Sequence, residues 1–441
     1  MVKHQLSAGT AECDISPPLG VSLAGYPHHP RPNEGIHDRL FASCLYLSDG
    51  STRLALVTVD VIAISKANAA RIRREASRAT GVPERHIMVS CSHSHSSPRV
   101  AHSMTMDAYE TGTAPDEEYV SIVVGAAVDV VRSAVAGAFS AQIGIAKGFC
   151  GRENGVGGNR REPMGLADPE VWTIGVKDSN GTVRAVLVKY SLHPTFLHSD
   201  NVLVSADYPG YIRSHFRTAA PDAVFLFALG AAGNQSPRFF RSGKIFAEAE
   251  RVGTAIAGEA ERVLSEMQYR SDLPLTVRSR EIELELRKFP PKAEIVDRVE
   301  SLRRAWHELR DSGAAEPEVW NAELRFLGAE DTLSLMLLHE RGELMVLNEN
   351  TPSEVQVIGI GETRIVALPG ELFVEFGIAV QFRAPFANCF VITLANGGLP
   401  GYAATARAYA EGGYETGASM LTGRSGEQLV DAAVQLLYDT V

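Results

Sequence analysis

The stretch "HIMVSCSHSHSSP", residues 86–98, joins an apolar run to a loop that holds two histidines one residue apart, several serines and a proline. The run at 86–91 predicts a buried strand, and the polar residues after it predict a loop that begins where the strand ends. A polar surface turn would have the same serine and proline content. His93 and His95 make a metal site or an acid–base site the sharper hypothesis.

The same unit, a buried strand followed by a polar loop, recurs along the chain. "VRAVLVKYSLHPT" predicts a strand at 183–191 with His193 after it, and "LALVTVD" predicts a strand that closes on Asp60. The runs "AVFLFALGAAGNQSP", "TRIVALPGELF" and "CFVITLANGGLPGY" lead to Asn234 and Ser236, to Glu371, and to Asn396 and Tyr402. Functional side chains beyond the carboxyl ends of strands follow the placement rule of α/β sheets. We therefore expect these loops to converge at one edge of a sheet.

Helical periodicity fills the intervals between the strands. Apolar residues three and four positions apart predict helices at 66–80, 119–139, 244–267 and 426–439. Strands that alternate with helices favour an α/β fold, with a layered, mixed β-sheet core flanked by helices and the active site at the C-terminal ends of the strands. Without a repeat or a long linker, residues 1–441 are expected to form a single catalytic domain.

Residues 287–330 fit this pattern less well. They open on two prolines and continue as a charged amphipathic helix. We interpret this excursion as a lid, as a contact in a homo-oligomer, or as a solvated helix packed on the outside.

Composition limits the classes of function. The chain has 441 residues, of which 45% are hydrophobic and 22% charged, as in an ordinary globular protein. A net charge of −11 without a basic stripe argues against nucleic-acid binding. The low-polarity run 223–233 is shorter than the ~18 residues of a membrane span, so no stable membrane association is expected. Five scattered cysteines and a start without a secretory core predict a cytoplasmic protein.

The histidines indicate a metal site only in combination with other residues. Alone, His93 or His193 is more often a hydrogen-bonded structural histidine than a metal ligand. Two histidines on separate strand ends, with Glu371 and a tyrosine oxygen, form a donor set that suits Zn²⁺ better than Ca²⁺ or Mg²⁺. Ser236 has a simpler explanation as a turn residue, and "GGNRRE", residues 157–162, as a flexible loop without P-loop spacing.

Several motifs together resemble one protein family. "SHSHSSP", "NRR", "HPT", "GNQSP", "ALPGE" and "GY" occur in the order and context seen in the neutral/alkaline ceramidases, which are zinc amidases. The stretches "AECDISPPLGVSLAGY", "GIHDRLFASCLYL" and "NVLVSADYPGY" resemble the same family. The similarity covers about residues 7–240 and 355–425, and the segment between them differs. The resemblance implies the N-terminal catalytic domain of that family.

The resemblance also implies a role for each matching residue. The implied zinc ligands are His93, His193, Glu371 and Tyr402. The implied catalytic residues are His95 and Arg160, which face the substrate near the metal, and Ser236, which is a nucleophile or assists the metal. Tyr414 is implied to line the same pocket.

Three departures from the family concern the substrate. Asn234, which we assign to substrate binding, stands where ceramidases typically have an aspartate. Another pocket tyrosine is replaced near Thr422, and we expect the family's C-terminal immunoglobulin-like domain to be absent. A lipid in a membrane is therefore a less suitable substrate than for a true ceramidase.

The sequence thus predicts a cytoplasmic zinc-dependent amidohydrolase that cleaves the C–N bond of a small soluble amide. Metal-activated water would attack the carbonyl, and Ser236 would either add covalently or orient the water. A zinc-dependent ester or lactone hydrolase would use the same site. A non-catalytic metal-binding paralogue is a further alternative.

Overall fold

Two β-sheets lie face to face between outer layers of helices. The computed structural model describes residues 6–26, 29–102, 115–344, 347 and 350–441. Within them the strands are β1 Ser7–Asp14, β2 Gly35–Ile36, β3 Phe41–Ser48, β4 Arg53–Val59, β5 Ile87–Cys91, β6 Phe139–Phe149, β7 Gly158–Asn159, β8 Glu170–Asp178, β9 Val183–Tyr190, β10 Leu203–Val204, β11 Val224–Leu229, β12 Gln235–Ser236, β13 Leu275–Ile282, β14 Ser353–Ile360, β15 Thr363–Ala367, β16 Glu371–Leu372, β17 Asn388–Ile392 and β18 Tyr402–Ala403. The helices are α1 Lys66–Thr80, α2 Glu117–Ala136, α3 Tyr208–Ala219, α4 Phe246–Glu266, α5 Lys292–Asp311, α6 Glu316–Arg341, α7 Val374–Arg383, α8 Ala406–Glu411, α9 Tyr414–Gly417 and α10 Ser425–Tyr438.

Both large sheets are mixed. The eight-stranded sheet has the order β11-β9-β8-β6-β1-β3-β4-β5, and the four-stranded sheet has the order β13-β14-β15-β17. Parallel pairing occurs between β4 and β5, β9 and β11, and β15 and β17. Parallel neighbours need a crossover connection, and α1, α3 and α7 supply it in these three cases. The carboxyl ends of each parallel pair therefore lie at the same edge of their sheet.

Three apolar layers hold the sheets and helices together. One face of the eight-stranded sheet packs against α1 to α4, and its other face packs on the four-stranded sheet. Trp172 and Phe390 stack across the two sheets with ring centroids 4.8 Å apart. The outer face of the small sheet packs against α7 and α10. This helix–sheet–sheet–helix arrangement confirms the predicted layered α/β fold.

The predicted elements that rest on local patterns are confirmed. α1 has the predicted bounds, and β5, β9 and β11 occupy the predicted apolar runs. α2 begins at Glu117, earlier than predicted, because the Asp116 side chain accepts hydrogen bonds from the main-chain nitrogens of Glu118 and Tyr119.

The excursion at 287–330 differs from the single helix predicted there. It forms two helices, α5 and α6, which are separated by a turn that contains Gly313 at a φ of 72°. A left-handed residue of this kind ends a helix, and glycine adopts it without steric cost. α6 then continues to Arg341, beyond the predicted end of the excursion.

α2 is long and apolar enough to cross a membrane, by length and composition alone. Half of its apolar window is buried inside the protein, and α2 packs against α1, β1 and β3. The Tyr119 hydroxyl at its start donates to the Ile15 carbonyl at 2.7 Å. We interpret α2 as a core helix.

Candidate metal centre

Two histidines and a glutamate meet where the ends of both sheets come together. His93 follows β5, His193 follows β9, and Glu371 begins β16 after the end of β15. The Thr393 main-chain nitrogen donates to the Leu229 carbonyl at 2.7 Å, which joins the end of β17 to the end of β11. The predicted convergence of these strand ends thus extends over two sheets rather than one.

The three side chains place one atom each around a common point. The Oε2 atom of Glu371 lies 3.0 Å from Nε2 of His193 and 3.2 Å from Nε2 of His93. The two Nε2 atoms are 3.2 Å apart, and both histidines are buried. Ligands about 2.0–2.1 Å from a tetrahedral zinc ion are about 3.3–3.4 Å from each other. The observed separations are close to that spacing.

The hydrogen bonds of the two imidazoles fix their tautomers. Nδ1 of His93 lies 2.6 Å from the Ile62 carbonyl, and Nδ1 of His193 lies 2.7 Å from the Ala232 carbonyl. Because a carbonyl only accepts, each Nδ1 bears the proton and each Nε2 is left with a lone pair. Glu371 Oε2 has no hydrogen-bond donor among the described residues. Three lone pairs therefore face one another, an arrangement that a cation between them would stabilise.

The charge state of His193 agrees with this arrangement. Burial lowers the pKa of His193 to about 4, and the positive charge of Arg160 acts in the same direction. The imidazole is thus neutral near pH 7, as a metal ligand must be. The residues present fit a metal ion at this point.

His93 occupies a strained backbone position. Its φ of 68° lies in the left-handed region, which residues other than glycine seldom adopt. Its main-chain nitrogen donates to the Val61 carbonyl at 3.0 Å, which holds the turn after β5. Backbone strain of this kind, of order 1–3 kcal/mol, is concentrated at functional sites.

His95 lies beside the pair rather than within it. Its ring centroid is 5.0 Å from that of His93 and 5.7 Å from that of His193, and the ligand atoms of all three histidines lie within 4.8 Å of one another. Both ring nitrogens are buried without a hydrogen-bond partner among the described residues. A Cβ atom on Gly25, whose φ is +97°, would lie 2.4 Å from Nδ1 of His95. Glycine therefore makes room for an imidazole that can carry a proton or bind the metal.

Tyr402 is placed beside the centre by a short parallel ladder. β16 pairs with β18 so that Glu371 and Tyr402 are directly opposite each other. Burial raises the pKa of Tyr402 well above its usual value, and the negative charge of Glu371 adds to this effect. The ring of Tyr414 lies 6.1 Å from that of Tyr402, and both tyrosines line the cavities at the site.

Arg160 is held beside Tyr402 by a residue that the sequence analysis missed. Its Nε donates to Oε1 of Glu415 at 2.8 Å, and the Glu415 charge raises the pKa of Arg160. The guanidinium carbon lies 5.6 Å from the centre of the Tyr402 ring. Nη2 of Arg160 is buried and has no hydrogen-bond partner among the described residues. Arg160 is thus oriented by Glu415 and keeps one nitrogen for another acceptor.

Ser236 lies on the wall of the same site. β12 pairs with β7 so that Ser236 is opposite Gly158, two residues before Arg160. Its hydroxyl oxygen accepts a hydrogen bond from the Arg238 main-chain nitrogen at 3.2 Å, as a turn residue would. Ser236 also lines a cavity with His95, Arg160 and Tyr402, so it is part of the site as well as of the turn.

Two predicted residues are placed elsewhere. The Asn234 side chain, assigned to substrate binding, accepts from the Val374 main-chain nitrogen and donates to Glu375, both at 2.9 Å, and so holds the start of α7. Asn396 bonds the Val89 main-chain nitrogen and the Gln356 side chain, at 3.0 and 2.9 Å. Neither asparagine lines the cavities beside the histidines.

Asp60, the sixth strand-end residue, is part of a buried ion pair. Its Oδ2 lies 2.6 Å from Nη2 of Arg213 and also accepts from the Phe41 main-chain nitrogen at 3.0 Å. We expect Asp60→Ala to lower the free energy of unfolding by about 3–5 kcal/mol, because Arg213 would remain as an uncompensated buried charge. Denaturant unfolding measures this loss.

The matched control is Asp129→Ala, which breaks an exposed pair with Arg132 and should cost at most about 1 kcal/mol. Asp60→Ala should leave metal content per folded chain unchanged. Loss of metal at unchanged stability would instead place Asp60 in the metal site.

Two cavities meet at His95. The inner cavity, of about 130 Å³, reaches His93 and Glu371. The outer cavity, of about 190 Å³, reaches Arg160 and Ser236. Both are bordered by the same four residues, Gly25, His95, Tyr402 and Tyr414. Trp320, Leu324 and Leu327 from α6 line the outer cavity, so part of the excursion forms a wall of the site rather than only a solvated outer helix.

Comparison with solved structures shows which known proteins share this fold. The chain resembles neutral ceramidase from Pseudomonas aeruginosa in structure, with a TM-score of 0.74 and 19% identity over 99% of this chain and 74% of that chain. A ceramidase complexed with C2 has a TM-score of 0.74 and 17% identity over 99% of this chain and 75% of that chain. At these identities the likeness shows a shared fold. No curated protein matches the sequence.

The family model adds what the structural likeness alone does not. Residues 6–239, more than half of the chain, match the model for neutral/alkaline non-lysosomal ceramidase, N-terminal. The matched region contains His93, His95, Arg160, His193 and Ser236. The chain therefore belongs to the neutral/alkaline non-lysosomal ceramidase family.

Proposed function

We propose that this protein is a zinc-dependent amidohydrolase that cleaves the C–N bond of a small, water-soluble amide. Family membership makes it a hydrolase that acts on an amide bond. The observation that carries the zinc proposal is the convergence of Nε2 of His93, Nε2 of His193 and Oε2 of Glu371 without a proton donor between them. Imidazole and carboxylate together are typical ligands of catalytic zinc.

The residues around the proposed zinc ligands would have different roles in the reaction. Zinc in such a site polarises a substrate carbonyl and acidifies water. His95 would take a proton from the attacking water at a ring nitrogen and return it to the leaving amine. Nη2 of Arg160 would donate to the developing oxyanion, since Glu415 fixes its orientation in advance.

The size of the cavities favours a small substrate. The inner and outer cavities, of about 130 and 190 Å³, share four bordering residues, and together they reach only the lower end of the roughly 300–1,000 Å³ typical of pockets for drug-sized ligands. Trp320, Leu324 and Leu327 of α6 line the outer cavity, where a long second chain would have to pass. A two-chain lipid would therefore need α6 to move.

Ser236→Ala tests the part that the hydroxyl plays. We expect about a 10- to 100-fold lower kcat with the metal retained, because a positioned hydroxyl contributes on the lower side of general acid–base groups. Steady-state kinetics and metal analysis on the same preparation measure both effects. An unchanged kcat would show that Ser236 acts only as a turn residue, through its bond with the Arg238 main-chain nitrogen.

A metal analysis and a substrate panel test the proposed function. Purified protein should contain about one zinc ion per chain. N-acyl amines and amino-acid amides should be hydrolysed faster than esters, lactones and detergent-dispersed long-chain ceramide, and chelation should stop the reaction. His93→Ala is the blank for contaminating hydrolases. Faster turnover of ceramide than of every soluble compound would reject the small-substrate proposal, and full activity after complete removal of metal would reject zinc catalysis.

A further inference from the structure

The outer cavity contains more positive charge than the reaction uses. Among the described residues, its walls include the guanidinium groups of Arg160, Arg238 and Arg241 and one carboxylate, that of Glu323. Arg160 is already matched by Glu415. Arg238 therefore raises the question of which negative charge it meets.

Arg238 is the guanidinium best placed for an external partner. Its Nη1 lies 3.4 Å from the Arg160 carbonyl, a weak hydrogen bond, and no carboxylate of the described residues pairs with it. Burial lowers the pKa of Arg238 to about 10, the charge of Arg160 contributes, and the charge of Glu415 opposes both. The two Glu415 oxygens, however, are bonded to Arg160 and Arg161. Arg238 thus remains protonated near pH 7 without a carboxylate in hydrogen-bond contact among the described residues. A half-buried cation in this state is stabilised by a bound anion.

Its neighbours add to the positive potential. Arg241 donates to the main-chain carbonyls of Thr195 and Phe196, which fixes it behind the loop after His193. Burial lowers the pKa of His198 to about 3, and the charges of Lys244, Arg241 and Arg238 lower it further. His198 is therefore neutral near pH 7, and part of the decrease in its pKa is caused by the positive charges around it.

Glu323 does not cancel this charge at Arg238. Glu323 is on α6, and the positive charge of Lys244 acts on it. Lys244 also lies over the Trp320 ring of the same helix, 4.1 Å from its centre. The carboxylate is thus associated with Lys244 on the α6 side of the cavity, whereas Arg238 follows directly after Ser236 and Pro237.

The inner cavity offers an apolar patch beside the metal site. Ile62, Ile64, Leu394, Leu399 and Ala418 form this patch, and Arg99, His102 and Asn350 line the same cavity. The two cavities meet at His95, Tyr402 and Tyr414. An amide whose carbonyl lies at the metal site would therefore extend one end over the apolar patch and the other end towards Arg238.

We propose that the substrate is an N-acyl amide whose amine portion carries a carboxylate, as in an N-acyl amino acid. The acyl chain would occupy the inner cavity, and the carboxylate would accept charge-assisted hydrogen bonds from Arg238. Water would add to the carbonyl carbon, the C–N bond would break, and the nitrogen would gain a proton, which yields a carboxylic acid and a free amino acid. This inference rests on the proposed function and narrows its substrate class.

Matched substrates test the carboxylate. N-hexanoyl-leucine and N-hexanoyl-isopentylamine differ only in that group, and we expect kcat/KM to be about 10- to 100-fold higher for the acid, as one charge-assisted hydrogen bond allows. Equal values, or a preference for the uncharged amide, would overturn the inference.

Variants assign the effect to Arg238. In Arg238→Gln the ratio of the two kcat/KM values should fall to about one through loss of the acid alone, and Arg238→Lys should restore part of it. Arg132→Gln, an exposed arginine on α2, is the matched control and should change neither value. An equal loss for both substrates in Arg238→Gln would make Arg238 a structural residue and overturn its assignment.

Binding separates this inference from the proposed function. Calorimetry with His95→Ala, in which turnover is strongly slowed, measures the affinity for N-hexanoyl-leucine and for its uncharged analogue. If no amide were hydrolysed by the unmodified protein, the proposed function would fail, yet tighter binding of the acid, lost in His95→Ala/Arg238→Gln, would still support carboxylate recognition. Equal binding of the two compounds would overturn it.

Discussion

Glu371→Ala is expected to purify without metal and to lose at least about 10³-fold in kcat/KM. Oε2 of Glu371 lies within 3.2 Å of both histidine Nε2 atoms and is the only anion that the described residues place between them. Without this carboxylate, two neutral imidazoles would have to hold a divalent cation in a buried site, which is unfavourable. Loss of metal catalysis then removes several kcal/mol of transition-state stabilisation.

Metal content by elemental analysis and kcat/KM for the best soluble amide check this prediction together. Glu261→Ala, which removes an exposed carboxylate beside His215, is the control and should retain both metal and activity. If Glu371→Ala kept one metal ion per chain, the ligands would be the three histidines within 4.8 Å of one another, and Glu371 would be an outer residue.

The parts of the fold that follow from local pattern could be read from the sequence. The apolar runs before His93, His193 and Ser236 are strands, because each is short, contains β-branched or aromatic residues and is closed by turn residues. The convergence of their ends follows from parallel pairing with helical crossovers. No local sequence pattern predicts that the two sheets meet at this edge, because their meeting depends on contacts between distant strands.

The contacts around Arg160 could not be predicted from the sequence. Arg160 and Glu415 are 255 positions apart, and nothing in "NRR" or "YETG" marks them as partners. The ladders that place Tyr402 opposite Glu371 and Ser236 opposite Gly158 contain two residues per strand, too few for a periodic pattern. A resemblance to known proteins could suggest Tyr402 as a ligand, whereas spacing alone could not.

Asn234 illustrates a departure that only the structure explains. Its amide nitrogen donates to Oε2 of Glu375 at 2.9 Å while its oxygen accepts from the Val374 main-chain nitrogen. An aspartate at this position would set two carboxylates against each other in a buried place. The asparagine amide is therefore matched to Glu375 at the start of α7, and its two bonds give it a structural role.

His95→Ala is expected to retain the metal and to lose about 10²- to 10⁴-fold in kcat, the range typical of a general acid–base group. His95 has two buried ring nitrogens that bond none of the described residues, and it borders both cavities. His93 and His193, by contrast, each use Nδ1 on a carbonyl and direct Nε2 at the common point. This difference in hydrogen bonding is the physical basis for separating a proton carrier from two ligands.

Chemical rescue makes the test of His95 specific. The alanine variant leaves a space beside Gly25, and added imidazole should restore part of kcat if the missing group only transfers protons. His86→Ala removes a histidine whose Nδ1 bonds the Arg53 carbonyl away from the site, and it should keep full activity. If His95→Ala purified without metal and imidazole restored nothing, His95 would be a third nitrogen ligand, because its ring already lies within 4.8 Å of the ligand atoms of His93 and His193.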